Sequence, residues 1–223
     1  PVTTDGIKLA SDKSGNSSTN VLCLNGVAGN YASAPDSVPT SITADLDLRA
    51  WVNITTLAAG GLVCKWTSTG NQRSYQLIVN TSAGDLRLNT STDGSASASY
   101  VATANIAAGE QWLRATLDVD NGAGGSTARF YTSPDGVTWT QVGVDVVGAV
   151  TSIFNSTAIV EVGSRSVGTE VPFNGVIYRA QIYSGIAGTL VFDANFTGVA
   201  KLATIFTESS SNAATVTINT SGA

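Results

Sequence analysis

Two pairs of acidic residues are the strongest candidates in this sequence for acid–base chemistry. Asp45 and Asp47 alternate along one run, and Asp118 and Asp120 alternate along another. Hydrolysis of a glycosidic bond uses two carboxyl groups that lie about 5 to 10 Å apart and face one cleft. However, Arg49 rather than a third acid continues the first pair, and an Asn-Gly turn directly follows the second. We therefore interpret the pairs as a solvated strand face and a turn, and we predict that the chain is not an enzyme.

The composition excludes two further kinds of catalytic site. The chain has no histidine, so neither a serine–histidine–aspartate triad nor a cysteine–histidine nucleophile can form, and a zinc site is not expected. Its two cysteines, Cys23 and Cys64, lie in apolar runs. We interpret them as buried thiols that pack as small hydrophobic residues. A disulfide between neighbouring strands is the alternative.

The run DVDNG, residues 118–122, suggests a calcium site, because Ca²⁺ is bound by several carboxylate and carbonyl oxygens. Asp118 and Asp120 are the weak candidates for its ligands. The run lacks the spacing and the distal glutamate of a calcium-binding hand. We favour a plain hairpin turn and predict no metal and no cofactor, with Ca²⁺ as the alternative.

A polar loop flanked by aromatic residues is the best candidate for a recognition site. Trp66 and Tyr75 flank the stretch TSTGNQRS, which includes Arg73. Proteins hold sugars by stacking them on aromatic rings and by hydrogen bonds to a few polar groups. We predict that Trp66, Arg73 and Tyr75 form a carbohydrate-binding edge. The alternative is that both aromatic residues only pack at the margin of a sheet.

Length and charge limit the class of protein. A chain of 223 residues fits a single all-β sandwich, and 43% hydrophobic residues are enough for a core. Only 12% of the residues are charged and the formal net charge is −5, which argues against nucleic acid as a partner because nucleic-acid-binding proteins cluster lysine and arginine. The chain has no apolar run of about 18 residues, so we expect no membrane partner.

Apolar and polar residues alternate over most of the chain. Runs at residues 46–54, 75–79 and 113–119 place their apolar side chains on one face, which is typical of half-buried strands. Glycine, asparagine and aspartate clusters such as DVDNGAGGST and TSPDGVTW are suited to hairpins. The sequence therefore predicts an all-β fold, an antiparallel two-sheet sandwich, in which Trp139 of the second hairpin packs on a neighbour.

The run VPFNGVIYRAQIYSG, residues 171–185, shows the same alternation. The side chains on one face of this run are Val176, Tyr178, Ala180 and Ile182. We predict that this face is turned toward the core. Gly175 should mark a bulge or a position where the backbone passes close to another segment.

Six segments follow one another in the order of the laminin-G-like, concanavalin A-like jelly rolls. They are LCLNGVAGNYASAPDSV (22–38), LRAWVNI (48–54), YQLIV (75–79), EQWLRATLDVDNG (110–122), ARFYTSPDG (128–136) and FNGVIYRAQIYSG (173–185). The resemblance covers roughly residues 5–190 and implies a jelly-roll sandwich with Trp51 and Trp112 at core positions. Tyr178 stands where that family usually has an aspartate, so any role of that acid is either lost here or moved to another position.

The remaining segment, residues 191–223, resembles the tails of virion proteins from phages of high-GC bacteria, in the strings DANFT and FTES. We expect a β segment that packs on the domain of residues 1–190 or docks on a partner. The resemblance implies a non-enzymatic surface protein of a phage virion, a head decoration or minor tail component that is made in the host cytoplasm. Implied partners are other virion proteins, cell-surface glycans and further copies of the chain. The alternative is a carbohydrate-binding module or lectin with a defined sugar site.

Overall fold

The computed structural model describes residues 6–11 and 18–221. The described residues form strands joined by turns, with two short 3-10 helices at Val38–Thr40 and Phe196–Gly198. The strands are β1 (Gly6–Ser11), β2 (Ser18–Asn25), β3 (Tyr31–Ala34), β4 (Leu46–Ile54), β5 (Gly60–Thr67), β6 (Gln72–Val79), β7 (Asp85–Thr90), β8 (Ala98–Asn105), β9 (Gly109–Asp118), β10 (Ser126–Ser133), β11 (Thr140–Gln141), β12 (Val146–Gly148), β13 (Val160–Val162), β14 (Asn174–Ser184), β15 (Thr189–Asn195), β16 (Ile205–Thr207) and β17 (Thr215–Asn219). Within this part of the chain, no helix has the length and apolar character needed to cross a membrane.

Two antiparallel sheets form a sandwich. The nine-stranded sheet has the order β1-β2-β14-β4-β9-β10-β11, and β12 and β15 also pair with β10 and β14. The eight-stranded sheet has the order β16-β17-β3-β13-β5-β6-β7-β8. This arrangement confirms the predicted all-β, two-sheet fold class. It also places β4 and β9 side by side near the middle of the nine-stranded sheet.

The core lies between the two sheets and is built from alternate residues of the strands. The even-numbered residues from Leu46 to Ile54 of β4 are buried, and so are the odd-numbered residues from Leu113 to Leu117 of β9. Burying one such aliphatic side chain contributes about 1.5 to 3 kcal/mol. The alternation therefore decides which side chains of β4 and β9 point outward, away from the core.

A bulge in β14 reverses its alternation part of the way along the strand. The pairing of β14 with β4 shifts register between Ile177 and Arg179. Ile177 and Ile182 are fully buried, whereas Tyr178 is half-exposed and stacks on the outer side of β4. The prediction that Val176 and Tyr178 face the core is therefore wrong, because the extra residue gives the first part of β14 the opposite alternation from Ala180 and Ile182. Gly175 does mark a close approach, since a Cβ there would lie 2.7 Å from a carbonyl oxygen of β4.

The C-terminal segment contributes strands to both sheets. β15 pairs with β14, and β17 pairs with β3. Val216 of β17 is fully buried, and the carboxylate of Glu208 accepts the backbone N–H of Asp193 at 3.0 Å. The described part of residues 191–223 therefore packs on the rest of the sandwich.

The two cysteines lie on different sheets. Cys23 belongs to β2 of the nine-stranded sheet and is half-buried, and Cys64 belongs to β5 of the eight-stranded sheet. Cys64 is a fully buried free thiol, as predicted. The alternative of a disulfide between neighbouring strands does not fit this topology.

Candidate functional site

Trp66 lies on the outer side of the eight-stranded sheet, but a loop covers it. The indole is 3% exposed and packs with Cys64 and Ile78. The backbone N–H of Ser166 donates to the carbonyl of Trp66 at 3.0 Å, which holds the loop after β13 against this side of the sheet. Local alternation does not reveal such a cover, because the loop comes from much later in the chain.

Tyr75 and Arg73 are also engaged within the protein. Tyr75 is fully buried, and its hydroxyl donates to the carbonyl of Thr40 at 2.8 Å. Arg73 donates from Nη1 to two loop carbonyls, at 3.3 and 2.8 Å. The rings of Trp66 and Tyr75 thus have no face open to a ligand, so the predicted edge is wrong as a stacking surface.

Asp118 and Asp120 close a turn. The carboxylate of Asp118 accepts the backbone N–H of Asp120 at 3.1 Å, and that of Asp120 accepts the N–H of Gly122 at 3.3 Å. Over residues 6–11 and 18–221, no three histidine, cysteine, aspartate or glutamate side chains are grouped so as to hold a metal ion. The hairpin-turn interpretation accounts for the hydrogen bonds of both carboxylates.

The other acidic pair has a different environment from the one predicted. The carboxylate of Asp45 accepts the backbone N–H of Val119 at 2.9 Å. Asp47 is fully buried although it lies on the outer side of β4. The prediction of a solvated strand face is therefore wrong for Asp47, because two arginine side chains cover it.

The outer side of the nine-stranded sheet brings together aromatic and charged side chains from four adjacent strands. These side chains stand opposite the core residues of β14, β4, β9 and β10, and strand pairing aligns them in three rows. The rows are Tyr183–Asp47–Thr116–Arg129, Gln181–Arg49–Arg114–Tyr131 and Arg179–Trp51–Trp112–Ser133.

Asp47 is the centre of this surface. Arg49 donates to its two carboxylate oxygens from Nε at 3.1 Å and Nη2 at 2.8 Å, and Arg114 does so at 3.0 and 2.7 Å. The backbone N–H of Ala187 adds a fifth hydrogen bond at 3.0 Å. Burial by itself would raise the pKa of Asp47, but the hydrogen bonds and charges of both arginines outweigh it and hold that pKa below its ordinary value.

Aromatic rings surround the two guanidinium groups. Arg49 lies 4.1 Å from the ring centroid of Tyr183 and 5.4 Å from that of Trp139. Arg114 lies 5.1 Å from the centroid of Tyr131 and 5.3 Å from that of Trp139. These distances are within the range of cation–π attraction. Trp139, carried by the hairpin after β10, therefore bridges both arginines, in agreement with its predicted packing role.

A stack of three aromatic rings continues the surface toward the next row. The rings of Tyr178 and Trp51 are 4.3 Å apart, and those of Trp51 and Trp112 are 5.9 Å apart. The hydroxyl of Tyr178 donates to Glu110 at 3.3 Å. Because β14 and β9 lie on either side of β4, about 10 Å apart, the ring of Tyr178 must extend across β4 to make this bond. Trp51 and Trp112 thus pack, but on the outer side of the sheet and not in the core that the family resemblance implies.

We call Arg49, Arg114, Trp51, Tyr178 and Trp139, with Asp47 between the arginines, the aromatic–arginine face. Its three aromatic residues and two arginines are all partly exposed. The face offers ring surfaces and N–H donors, and its carboxylate is fully engaged with the two arginines. It is therefore equipped to bind a ligand that has both apolar and hydrogen-bonding surfaces.

Three solved structures match the chain at low sequence identity. A Bacteroides ovatus protein, provisionally named as carbohydrate binding, matches with a TM-score of 0.57 and 14% identity, over 91% of this chain and 61% of its own. The CBM40 of the Ruminococcus gnavus IT-sialidase bound to α2,3 sialyllactose has a TM-score of 0.46 and 17% identity, over 74% of this chain and 91% of its own. The native heptameric SAP-like pentraxin of Limulus polyphemus has a TM-score of 0.43 and 14% identity, over 87% of this chain and 96% of its own. No family model and no curated protein matches the chain.

Proposed function

We propose that this protein binds carbohydrate on the aromatic–arginine face. The observation that carries the proposal is the stack of Tyr178 on Trp51 next to the two guanidinium groups of Arg49 and Arg114. A sugar ring has an apolar C–H surface that packs on aromatic rings and a rim of hydroxyls that accept hydrogen bonds from such donors. The provisional name of the Bacteroides ovatus protein with the same fold supports the same class of ligand.

We infer a binding role rather than a catalytic one. The sequence has no histidine, and Asp47 cannot act as an acid or base while both arginines hold it ionised. Asp118 and Asp120 are engaged with their own turn. Incubation with the glycans that bind should release no shorter sugars by chromatography, and a time-dependent product would contradict this inference.

A glycan array followed by calorimetry tests the proposal. Tyr178→Leu keeps an apolar side chain but removes the ring, so it should weaken sugar binding about five- to ten-fold, the value of one aromatic contact. Phe154→Leu is the matched control, because Phe154 is a half-buried aromatic residue beside the eight-stranded sheet. The proposal is wrong if no sugar binds the wild-type protein, or if both variants bind as the wild type does.

We also propose that the protein is displayed on the surface of a phage particle, as a head decoration or minor tail component that docks on other virion proteins. The supporting observation is an apolar edge at β16, the last strand of the eight-stranded sheet. Ile205 and Leu202 are 60% and 77% exposed there, next to an open groove of about 390 Å³ that Val199 and Phe206 help to line. Exposed edge strands with apolar side chains are sites for pairing with another chain.

Mass spectrometry of purified particles tests the location. Ile205→Lys should lower the amount of protein on the particles, whereas Val144→Lys, at a residue that is 63% exposed elsewhere on the surface, should not. Light scattering of the purified protein would show whether the same edge joins copies of the chain. Absence of the protein from the particles would refute the location.

A further inference from the structure

We infer that the ligand of the aromatic–arginine face is an acidic sugar, whose carboxylate binds to Arg49 and Arg114. The inference rests on the proposed function and adds the chemical class of the ligand. It follows from the charge, the hydrogen-bond geometry and the exposure of the two arginines.

The face carries one positive charge that the protein does not neutralise. Arg49 and Arg114 stand directly opposite each other on β4 and β9, and they share the single carboxylate of Asp47. Like charges in this position repel. Two guanidinium groups and one carboxylate leave a charge of +1, in a chain whose formal net charge is −5.

The neighbouring charges do not remove this excess. Arg179 is paired with Asp193 at 2.6 Å, and Arg129 is paired with Asp145 at 2.8 Å, so each of these pairs is neutral. Glu110 and Asp118 each stand two rows away from the arginine pair, on opposite sides of it. A ligand with a single negative charge therefore balances the arginine pair, whereas a dianionic phosphate would overcompensate it.

The hydrogen bonds to Asp47 leave one edge of each guanidinium as a donor for a second carboxylate. Each guanidinium uses its Nε and Nη2 edge for Asp47. A planar guanidinium has a second edge, made by Nη1 and the other hydrogen of Nη2, which also fits a carboxylate in a bidentate manner. The side chains of Arg49 and Arg114 are 13% and 11% exposed, so part of each is accessible from solvent.

The surrounding aromatic rings are the reason to infer an acidic sugar as the ligand rather than a simple carboxylic acid. Tyr183, Tyr131 and Trp139 lie within 5.4 Å of the guanidinium groups. They supply the apolar surface on which a sugar ring can rest while its carboxylate reaches an arginine. Their presence also lowers the local polarity, which strengthens a charge-assisted hydrogen bond.

Matched pairs of glycans test this inference without changing the protein. The probes are trigalacturonic acid, an alginate trisaccharide and a hyaluronan tetrasaccharide, each measured by calorimetry beside its own methyl ester. At least one acid should bind about ten-fold or more tightly than its ester, because a hydrogen bond to a charged group is that strong. The ratio should fall in 1 M salt, since screening weakens an exposed ion pair.

Two variants test whether the preference for the acid over its ester depends on the arginine pair. Arg114→Lys keeps the charge but loses the planar fork, so it should weaken binding of the acid more than binding of the ester and thereby lower the acid-to-ester ratio. Arg129→Gln removes a positive charge from the same side of the sheet, outside the face, and should change neither affinity. If Arg114→Lys unfolds the protein, the salt dependence of the acid-to-ester ratio remains the deciding measurement.

The outcomes separate the two proposals. Equal affinity for every acid and its ester, with measurable binding of both, overturns the acidic-sugar inference and leaves carbohydrate binding in place. Failure of these probes and of all neutral glycans to bind overturns the proposed function itself. A preference for the acid that Arg129→Gln abolishes would show a general charge effect and would also refute the inference.

Discussion

Replacing Asp47 with asparagine should destabilise the protein far more than breaking an exposed ion pair does. The side chain is fully buried and accepts five hydrogen bonds, four of them from Arg49 and Arg114. Asparagine keeps the volume, but it removes the charge and places an NH₂ group against a guanidinium. Two largely covered guanidinium groups would then have no counter-ion.

Removal of one partner of a buried ion pair costs about 3 to 5 kcal/mol. For a domain of this size, each kcal/mol lowers Tm by about 2 to 4 °C, so Asp47→Asn should melt roughly 6 to 20 °C below the wild type. The matched control is Asp145→Asn, which breaks an ion pair whose partners are 43% and 35% exposed. Exposed pairs contribute about 1 kcal/mol or less.

The pH dependence of this difference follows from the pKa of Asp47, which the two arginines hold below its ordinary value. A lowered folded-state pKa contributes stability that is present above the unfolded-state value of about 4 and is lost as the pH falls through the folded-state value. Urea titrations should therefore show the full gap between the wild type and Asp47→Asn at pH 7, and a smaller gap below about pH 4. If Asp47→Asn lost no more stability than Asp145→Asn at pH 7, the account of the arginine pair would be refuted.

Two further predictions concern single residues. Gly136 and Gly122 have the same φ of +74°, but a Cβ at Gly136 would lie 2.8 Å from the indole of Trp112, and one at Gly122 would meet nothing within 4 Å. The free energy of unfolding, measured by urea titration, should therefore be about 1 to 3 kcal/mol lower for Gly136→Ala than for Gly122→Ala. Equal free energies would contradict the packing of this hairpin on the indole of Trp112. Cys64 is fully buried and its pKa is raised by burial, so a maleimide should label Cys23 in the native protein and Cys64 only after unfolding. Rapid native labelling of both thiols would show that the loop over the eight-stranded sheet opens.

Local pattern predicted the sheets well because burial repeats every second residue. The even-numbered residues of β4 and the odd-numbered residues of β9 are buried as their alternation requires. Tyr178 departs from this alternation because of the bulge in β14, and the bulge depends on how that strand pairs with β4. Nothing in the local alternation marks such an insertion.

The candidate site was harder to predict, because its residues meet only after the strands pair. Asp47 and Arg49 are neighbours in sequence, but Arg114 is 67 positions away from Asp47 and reaches it only when β9 lies beside β4. The pattern that marks the site was present in the sequence, as two outward arginines and an outward aspartate on two strands that each carry one tryptophan. Trp66 and Tyr75 looked equally suitable in sequence. In the structure, a distant loop covers Trp66, and Tyr75 is buried in the core.

The position of β17 has a consequence for how the chain folds during synthesis. This strand lies between β16 and β3, and Asn219 donates to Ser33 across 186 positions of sequence. On a translating ribosome, β3 therefore presents an open edge until residues 215–219 have emerged, and the eight-stranded sheet cannot complete its pairing on that side before then.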